Sequence, residues 1–476
     1  FTLNPNWYID DFEKYNYDKH ETEIKETDLN EFFAEVNLDA KSVFLPLEGQ
    51  RLKPITYKRN YEELIGLFKT DNSGDKDLLE NYENLYIDKY ADENEDIKDI
   101  VDEFSKWMCE DTIRKTSPSI EDIKNQVLKS AEKLWDNAVW QHKDHINTIT
   151  TTNKDTGEKT EEKKERKAIL DDRPLYWARI VMEVILKRQY VFIKDILTLP
   201  QDQQDLFFKK SIVPKTSKLA KVIQLFEEKS RNYTGIDFSK TPAGIKKVLI
   251  TGFDPFQLNP DSYFNTSMGS DSANTLNRSG IGALFFNQNQ KLLNENIFVQ
   301  SCVFPVRYED FDDNCVERVI QKHINEVDII MTTSLNGGNN WFDIEADAIE
   351  YRGGFHDNMC IGGQDYSQYN YNDSRFISNT STQHNATTLP KTKIFGSNTS
   401  LNINGLIVKF DNSKINSSTE GGGGNYLSNE IMFRATKIRG SSTKPVGHFH
   451  LANLGTITRI KEVIDVTKEI IKKIIK

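Results

Sequence analysis

Residues 247–256 read KVLITGFDPF, and the fold follows from how that stretch begins and ends. Val248 to Thr251 is a short β-branched run, a strand by its length and residue types. Gly252 permits a sharp exit from it, and Pro255 stiffens the turn that follows. The same grammar recurs downstream at 297–306, 329–333, 344–351, 406–410 and 446–451. Amphipathic helices lie between or after these runs, at 315–325, 427–436 and 456–475. Strands alternating with helices predict an α/β layer domain over 241–476, with its site in the loops at strand ends. The stretch 360–402 is rich in Asn, Ser, Thr and Tyr without period. It reads as a long surface insertion, long enough to serve as a lid.

Upstream of 240 the pattern is helical. Leu79, Tyr82, Leu85, Tyr86 and Tyr90, then Ile97, Ile100, Val101, Phe104 and Trp107, recur at gaps of three and four. Ser117-Pro118-Ser119 precedes a second periodic run through Ile120, Ile123, Val127, Ala131, Leu134 and Val139, which marks a helix start. Residues 148–167 carry Thr, Asn, Lys, Glu and Gly with no apolar period and read as a mobile loop. The most apolar helix candidate is 171–197, with Pro174 near its first turn. Residues 1–240 therefore read as an all-α domain that offers packing and no chemistry. His142 and His145 stand three apart, but no carboxylate–His–His motif surrounds them, and two packed or surface histidines is the plainer reading. No metal is expected.

Composition narrows the function classes. The chain has 476 residues, 61 Lys+Arg against 72 Asp+Glu, and a net charge of −11. Phosphate contact needs a basic footprint, so the balance argues against a general nucleic-acid or anionic-membrane binder. The 27 Phe, 18 Tyr and 6 Trp supply core area under a very polar skin. No run of 18 apolar residues is present to span a bilayer. Cys109, Cys302, Cys315 and Cys360 are too few for a disulfide scaffold and lack Cys-x-x-Cys spacing. The start at Phe1 implies that something upstream was removed, by a protease or by design. A polar surface with sequons such as Asn232 and Asn416, most of them chance matches in so Asn-rich a chain, leans towards a secreted or periplasmic protein over a cytoplasmic one and leaves the compartment open.

Four stretches carry chemistry-bearing residues. Phe253 and Phe256 follow the first strand, where an α/β domain binds ligands, although Phe in a turn is more often core. Residues 420–432 (EGGGGNYLSNEIM) feed four glycines into a helix. A glycine run lets backbone N–H groups approach a substrate, and the helix start favours developing negative charge. Ser428, in the first turn, is placed either as a nucleophile or as a cap. No Lys-Ser/Thr follows the glycines, against a nucleotide P-loop. Residues 446–451 (VGHFHL) put His448 and His450 on one face of a strand. Residues 342–350 (FDIEADAIE) put Asp343, Glu345 and Asp347 on one face of another. At least one of these acids then needs a cationic partner such as an imidazolium.

Taken in order, 247–256 (KVLITGFDPF), 303–308 (VFPVRY), 344–350 (IEADAIE), 424–432 (GNYLSNEIM) and 447–451 (GHFHL) resemble pyroglutamyl peptidase I. That is the pyrrolidone-carboxylate peptidase family of cysteine exopeptidases. The resemblance covers about 246–476 and leaves the helical half outside it. It implies an α/β three-layer sandwich of the phosphorylase/hydrolase-like class, a Glu-Cys-His triad, and neither metal nor cofactor. Carried over by position, the orienting acid falls on Glu345 and the base on His450. The nucleophile falls on Ser428, where the family has cysteine. Phe253 and Phe256 match the aromatic pair that holds the pyrrolidone ring. Gln257-Leu258 replaces the family's Gly-Gly, and the 360–402 insertion is foreign to it.

Three readings of Ser428 follow. Serine is a natural nucleophile, since the same geometry serves Ser and Cys on unrelated folds; or it replaces a cysteine to trap substrate; or the site is inactive and the pocket only binds. The expected activity is removal of an N-terminal pyroglutamyl or similar group from a peptide or small amide. N–H groups of the glycine loop at Gly424, with Arg352 as a further candidate, would hold the oxyanion. The alternative is a catalytically inactive binding or scaffold protein, and an oligomer is open to either.

Overall fold

The computed structural model describes residues 97–108, 119–152, 159–187, 189–210, 212–256, 275–288, 291–292, 296–336, 340–353, 355–359, 383–455 and 459–476, with short pieces at 44–46, 52–54, 62–63, 68–70 and 76–78. Gln257-Leu258, Cys109, Cys360 and the first part of the 360–402 insertion lie outside these residues. The described residues divide into two compact units. One holds those up to Trp135 and Arg173–Ser230; the other holds Asp136–Asp172, Arg231–Phe256 and those from Leu276 onward.

The first unit is mainly helical. Its helices include 97–108, most of Ile120–Trp140, Arg173–Lys187, Tyr190–Ile196, Gln201–Lys210 and Lys218–Ser230. Ile120–Trp140 starts where Ser119 caps it: the Asp122 N–H donates to Ser119 Oγ at 3.1 Å, and Asp122 Oδ2 accepts the Ser119 N–H at 3.0 Å. The candidate at 171–197 is two helices, broken before Tyr190. The unit is not all-α, because Phe44–Pro46 pairs with Leu52–Pro54 and Phe68–Thr70 with Lys76–Leu78, both antiparallel. The expected mobile loop is corrected too. His145–Thr152 and Lys159–Arg166, which group with the second unit, form an eight-residue antiparallel ladder. The β-branched Ile and Thr of HINTITTT favour that ladder although no apolar alternation announces it. His142 is buried and its Nδ1 donates to the Ala138 carbonyl at 2.7 Å. Burial pulls its imidazole down to about 4, so it stays neutral.

The second unit is built on a mixed eight-stranded sheet. In chain order its elements are β1 (Lys246–Phe253), α1 (Arg278–Gln288), β2 (Lys291–Leu292), β3 (Ile297–Phe304), α2 (Tyr308–Asp312) and α3 (Cys315–His323). Next come β4 (Ile329–Leu335), β5 (Phe342–Glu345), β6 (Asp347–Ile349), β7 (His384–Ala386) and α4 (Lys391–Phe395). The chain ends with β8 (Ser400–Ile403), β9 (Leu406–Asp411), α5 (Leu427–Arg439), β10 (Val446–Leu451) and α6 (Ile460–Ile475). The sheet order is β8-β9-β5-β10-β4-β1-β3-β2, with β3, β1, β4 and β10 parallel at its centre. Strand β5 runs antiparallel to β10.

Each central strand buries both faces, which is why these runs are β-branched with little polar alternation. Val248, Ile250, Ile329, Met331 and Phe449 pack with α1, α4 and α6 on one side. Leu249, Ile330 and Val446 pack with α2, α3 and α5 on the other. This is a helix–sheet–helix sandwich. The part of the insertion that is described is folded: β7 pairs with β6, α4 packs into the core, and β8 edges the sheet.

Candidate active site

The site grows from three consecutive turns of sequence logic. Strand β10 alternates, so Phe449 joins the α1/α4/α6 core while His448 and His450 face the α5 side. Strand β5 does the same: Phe342 stacks on Phe449 (5.6 Å, 16°), and Asp343 and Glu345 face the histidines. His450 Nδ1 lies 2.7 Å from Glu345 Oε1. The ring therefore donates from Nδ1 and leaves Nε2 as its basic nitrogen. Glu345 is 2% exposed, and its Oε2 has no hydrogen-bond partner among the described residues. Burial pushes its carboxyl up, while the bond to His450 and its charge pull it down.

A glycine turn links this pair to Ser428. Gly421 and Gly424 close a tight turn by reciprocal bonds, Gly421 N–H to Gly424 O at 2.8 Å and Gly424 N–H to Gly421 O at 3.0 Å. Gly423 (φ +132) and Gly424 (φ +75) take left-handed conformations that favour glycine. A Cβ on Gly422 would stand 2.5 Å from Glu345 Oε2, and one on Gly423 would stand 3.1 Å from Ser428 Cβ. Successive residues of one turn thus touch the acid and the serine. Ser428, 9% exposed like His450, sits in the first turn of α5. The N–H groups of Leu427 and Ser428 have no acceptor among the described residues, as expected for a helix start. No hydrogen bond joins Ser428 to His450.

Other candidate residues have different placements. Arg352 is not available to an oxyanion. It is buried against the Tyr308 ring at 4.5 Å, donates to Glu430 from Nε (2.9 Å) and Nη2 (2.8 Å), and reaches both Asp312 oxygens. Glu430 also receives Arg434, so this ion network clamps α5 to α2. The Gly424 N–H is spent within the turn on the Gly421 carbonyl, which leaves the first-turn N–H groups of α5 as unbonded donors among the described residues. Phe253 is buried and stacked on Phe311 (6.0 Å, 7°), whereas Phe256 is half-buried at the end of the motif. Asp347 does not share a face with Glu345: the chain breaks at Ala346, and Asp347 lies on β6 paired with the His384 imidazole. His448 is held by Thr332 and Ser334 hydroxyls, each at 2.8 Å, and burial keeps it neutral.

Sequence reasoning missed Asn429. Its side chain bonds the Ile349 N–H (2.9 Å), the Ile349 carbonyl (2.9 Å) and the Tyr351 carbonyl (3.0 Å), pinning the serine's turn to β6. A buried amide beside Ser428 was the only signal, and local pattern gives it no partner.

The parts together make an α/β sandwich whose strand ends carry a buried carboxylate–imidazole pair beside a hydroxyl at a helix start. No protein-family model matches the chain, and no curated protein matches it. Among solved structures it is similar to the pyrrolidone carboxyl peptidase of Thermococcus litoralis, at 19% identity over 48% of this chain and 94% of that one, with TM-score 0.33. A mutant pyrrolidone carboxyl peptidase from Pyrococcus furiosus matches at 20% identity over 48% and 96%, TM-score 0.32. Pyroglutamyl peptidase I of Bacillus amyloliquefaciens matches at 18% identity over 47% and 94%, TM-score 0.33.

Proposed function

We propose that the chain is an amide hydrolase that removes an N-terminal pyroglutamyl or similar blocked group, with Ser428 as nucleophile, His450 as base and Glu345 as orienting acid. The observation that carries the reading is the 2.7 Å Glu345–His450 bond at the glycine turn that also packs on Ser428. The motif resemblance supplies the substrate class. Ser428 Oγ attacks the amide carbonyl carbon as its proton passes to His450 Nε2. The carbonyl π pair becomes an oxyanion before the first-turn N–H groups of α5. His450 then returns the proton to the departing nitrogen as the C–N bond breaks, and water repeats the sequence on the acyl-serine.

A fluorophosphonate probe tests the hydroxyl directly. Labelling at Ser428 in the native chain, lost in Ser428→Ala and His450→Ala, is the expected result. Hydrolysis of an N-terminal pyroglutamyl amide should fall about 10⁴-fold or more in both variants while they stay folded. Turnover retained in either refutes the assignment, and a native serine that does not label points to the binding protein instead. A panel of blocked aminoacyl amides separates a strict pyroglutamyl enzyme from one of wider range.

A further inference from the structure

Resting on the reading of His450 as the base, we propose that Asp343 is a positioning residue for it: a second carboxylate that shares the positive charge the ring acquires on taking the serine proton. The antiparallel ladder of β5 and β10 sets Asp343 directly opposite His450. Residues so paired project to the same face with Cβ atoms about 4.5–5.5 Å apart. Glu345, two residues on, shares that face, so two carboxylates of one strand project to the side of the sheet that carries the imidazole.

Asp343 is buried, 5% exposed, in a strand whose alternate residues Phe342 and Ile344 belong to the core. A buried carboxylate costs stability unless something compensates it. Three groups do so: Asn336 Nδ2 donates to Asp343 Oδ2 at 2.9 Å, and His450 and Lys409 attract it. The neighbouring strand β9 places Lys409 opposite Asp343 and Asp411 opposite Glu345. Lys409 is also held 3.5 Å over the Trp341 ring. The charges facing Asp343 are therefore Glu345 and Asp411 against it, with His450 and Lys409 for it. Burial first, then Glu345, pushes the carboxyl up to about 7. Near neutral pH it exchanges its proton, and once ionised it adds a second negative charge beside the ring. Glu345 fixes the tautomer; Asp343 supplies charge without a direct bond.

The test is an NMR titration of the His450 imidazole in the full chain, native against Asp343→Asn, with fluorophosphonate labelling followed over the same pH range. Removing a facing charge should lower the His450 midpoint by about one pH unit. The acid limb of labelling should move down with it. A purely structural role would lower the labelling plateau and leave both midpoints in place, and that outcome overturns the proposal. Asp343→Glu, which restores the charge, should bring the midpoint back. If Asp343→Asn does not fold, Asn336→Ala takes its place. Freeing Asp343 Oδ2 keeps the carboxyl protonated to higher pH, so the His450 midpoint should fall in the same direction. An unmoved midpoint in that variant also overturns the proposal. Failure of the hydrolase reading looks different: the native serine does not label, yet the titration still reports whether Asp343 and His450 are coupled.

Discussion

Two carboxylate–imidazole pairs start two residues apart in this chain, and they live in different surroundings. Glu345 meets His450 in the main sheet, both nearly sealed from solvent. Asp347 meets His384 on the separate β6–β7 ladder, where the His384 side chain is 28% exposed. Both touch the glycine turn, but by different atoms. Glu345 presents its side chain to Gly422, whereas Asp347 offers its backbone carbonyl to the Gly422 N–H at 2.7 Å. Of the two acids, Glu345 therefore meets the serine's turn with its carboxyl and Asp347 with its backbone alone, its own carboxyl being turned to His384. A carboxylate beside a ring is common; the two pairs differ in how far the ring itself is sealed from water and in what its other nitrogen faces.

The sharpest way to break this contrast is to remove the acid's charge without its shape. Glu345→Gln presents an amide that can offer an NH₂ to Nδ1 and stabilise the wrong tautomer. Hydrolysis should fall about 10⁴-fold, with KM little changed. A loss below about tenfold would make Glu345 no more important than Asp347.

Next in size is the turn itself. Gly422→Ala would place a methyl 2.5 Å from Glu345 Oε2 and 2.7 Å from the Asp347 carbonyl, so the acid or the strand must shift. Overpacking of this kind costs about 1–3 kcal/mol. Activity should drop further than stability alone explains, because the displaced group is the acid. Denaturation midpoints and steady-state rates on the same samples check it; unchanged rates would detach the turn from the site.

How much of this was legible beforehand depends on sequence distance. The strands of the sheet centre were readable because both faces are apolar, and the serine turn because four glycines precede one helix. The break at Ala346 was not. Period two carries Asp347 onto the face of Glu345, but Ala346 gives its N–H to Asp411 O (2.8 Å) and its carbonyl to the Thr387 N–H (2.9 Å), bridging two sheets. Those partners lie some forty to sixty-five residues away. Arg352 misled for the same reason: a lone arginine near a motif reads as a ligand, and its acids at 312 and 430 are invisible to local pattern. The 145–166 hairpin was missed because strands without an apolar stripe carry no period to detect.

A smaller effect concerns stability and pH. The Asp343 carboxyl is raised from 3.8 to about 7 by folding, so the native state holds its proton where the unfolded chain has released it. Its contribution is full below about 4 and is lost as pH rises through 7. The native chain should therefore lose about 1–3 kcal/mol between pH 5 and 8 that Asp343→Asn keeps. Urea midpoints at the two pH values measure it. Equal slopes for the two proteins would place Asp343 outside the charged cluster.

The smallest effect is expected where the comparison began. His384→Ala deletes the ring of the second pair, whose imidazole is partly exposed while the Asp347 carboxyl it bonds is buried. Leaving a buried acceptor without its donor costs about 1–3 kcal/mol. The Gly422 N–H bonds the Asp347 backbone, which the variant keeps, so the serine's turn should hold its shape. Labelling of Ser428 and turnover should stay within about threefold, with a stability change of about 1–2 kcal/mol. A larger kinetic loss would mean the two pairs act as one unit, through Gly422 and the shared strand break at Ala346, and the separation drawn between them would not stand.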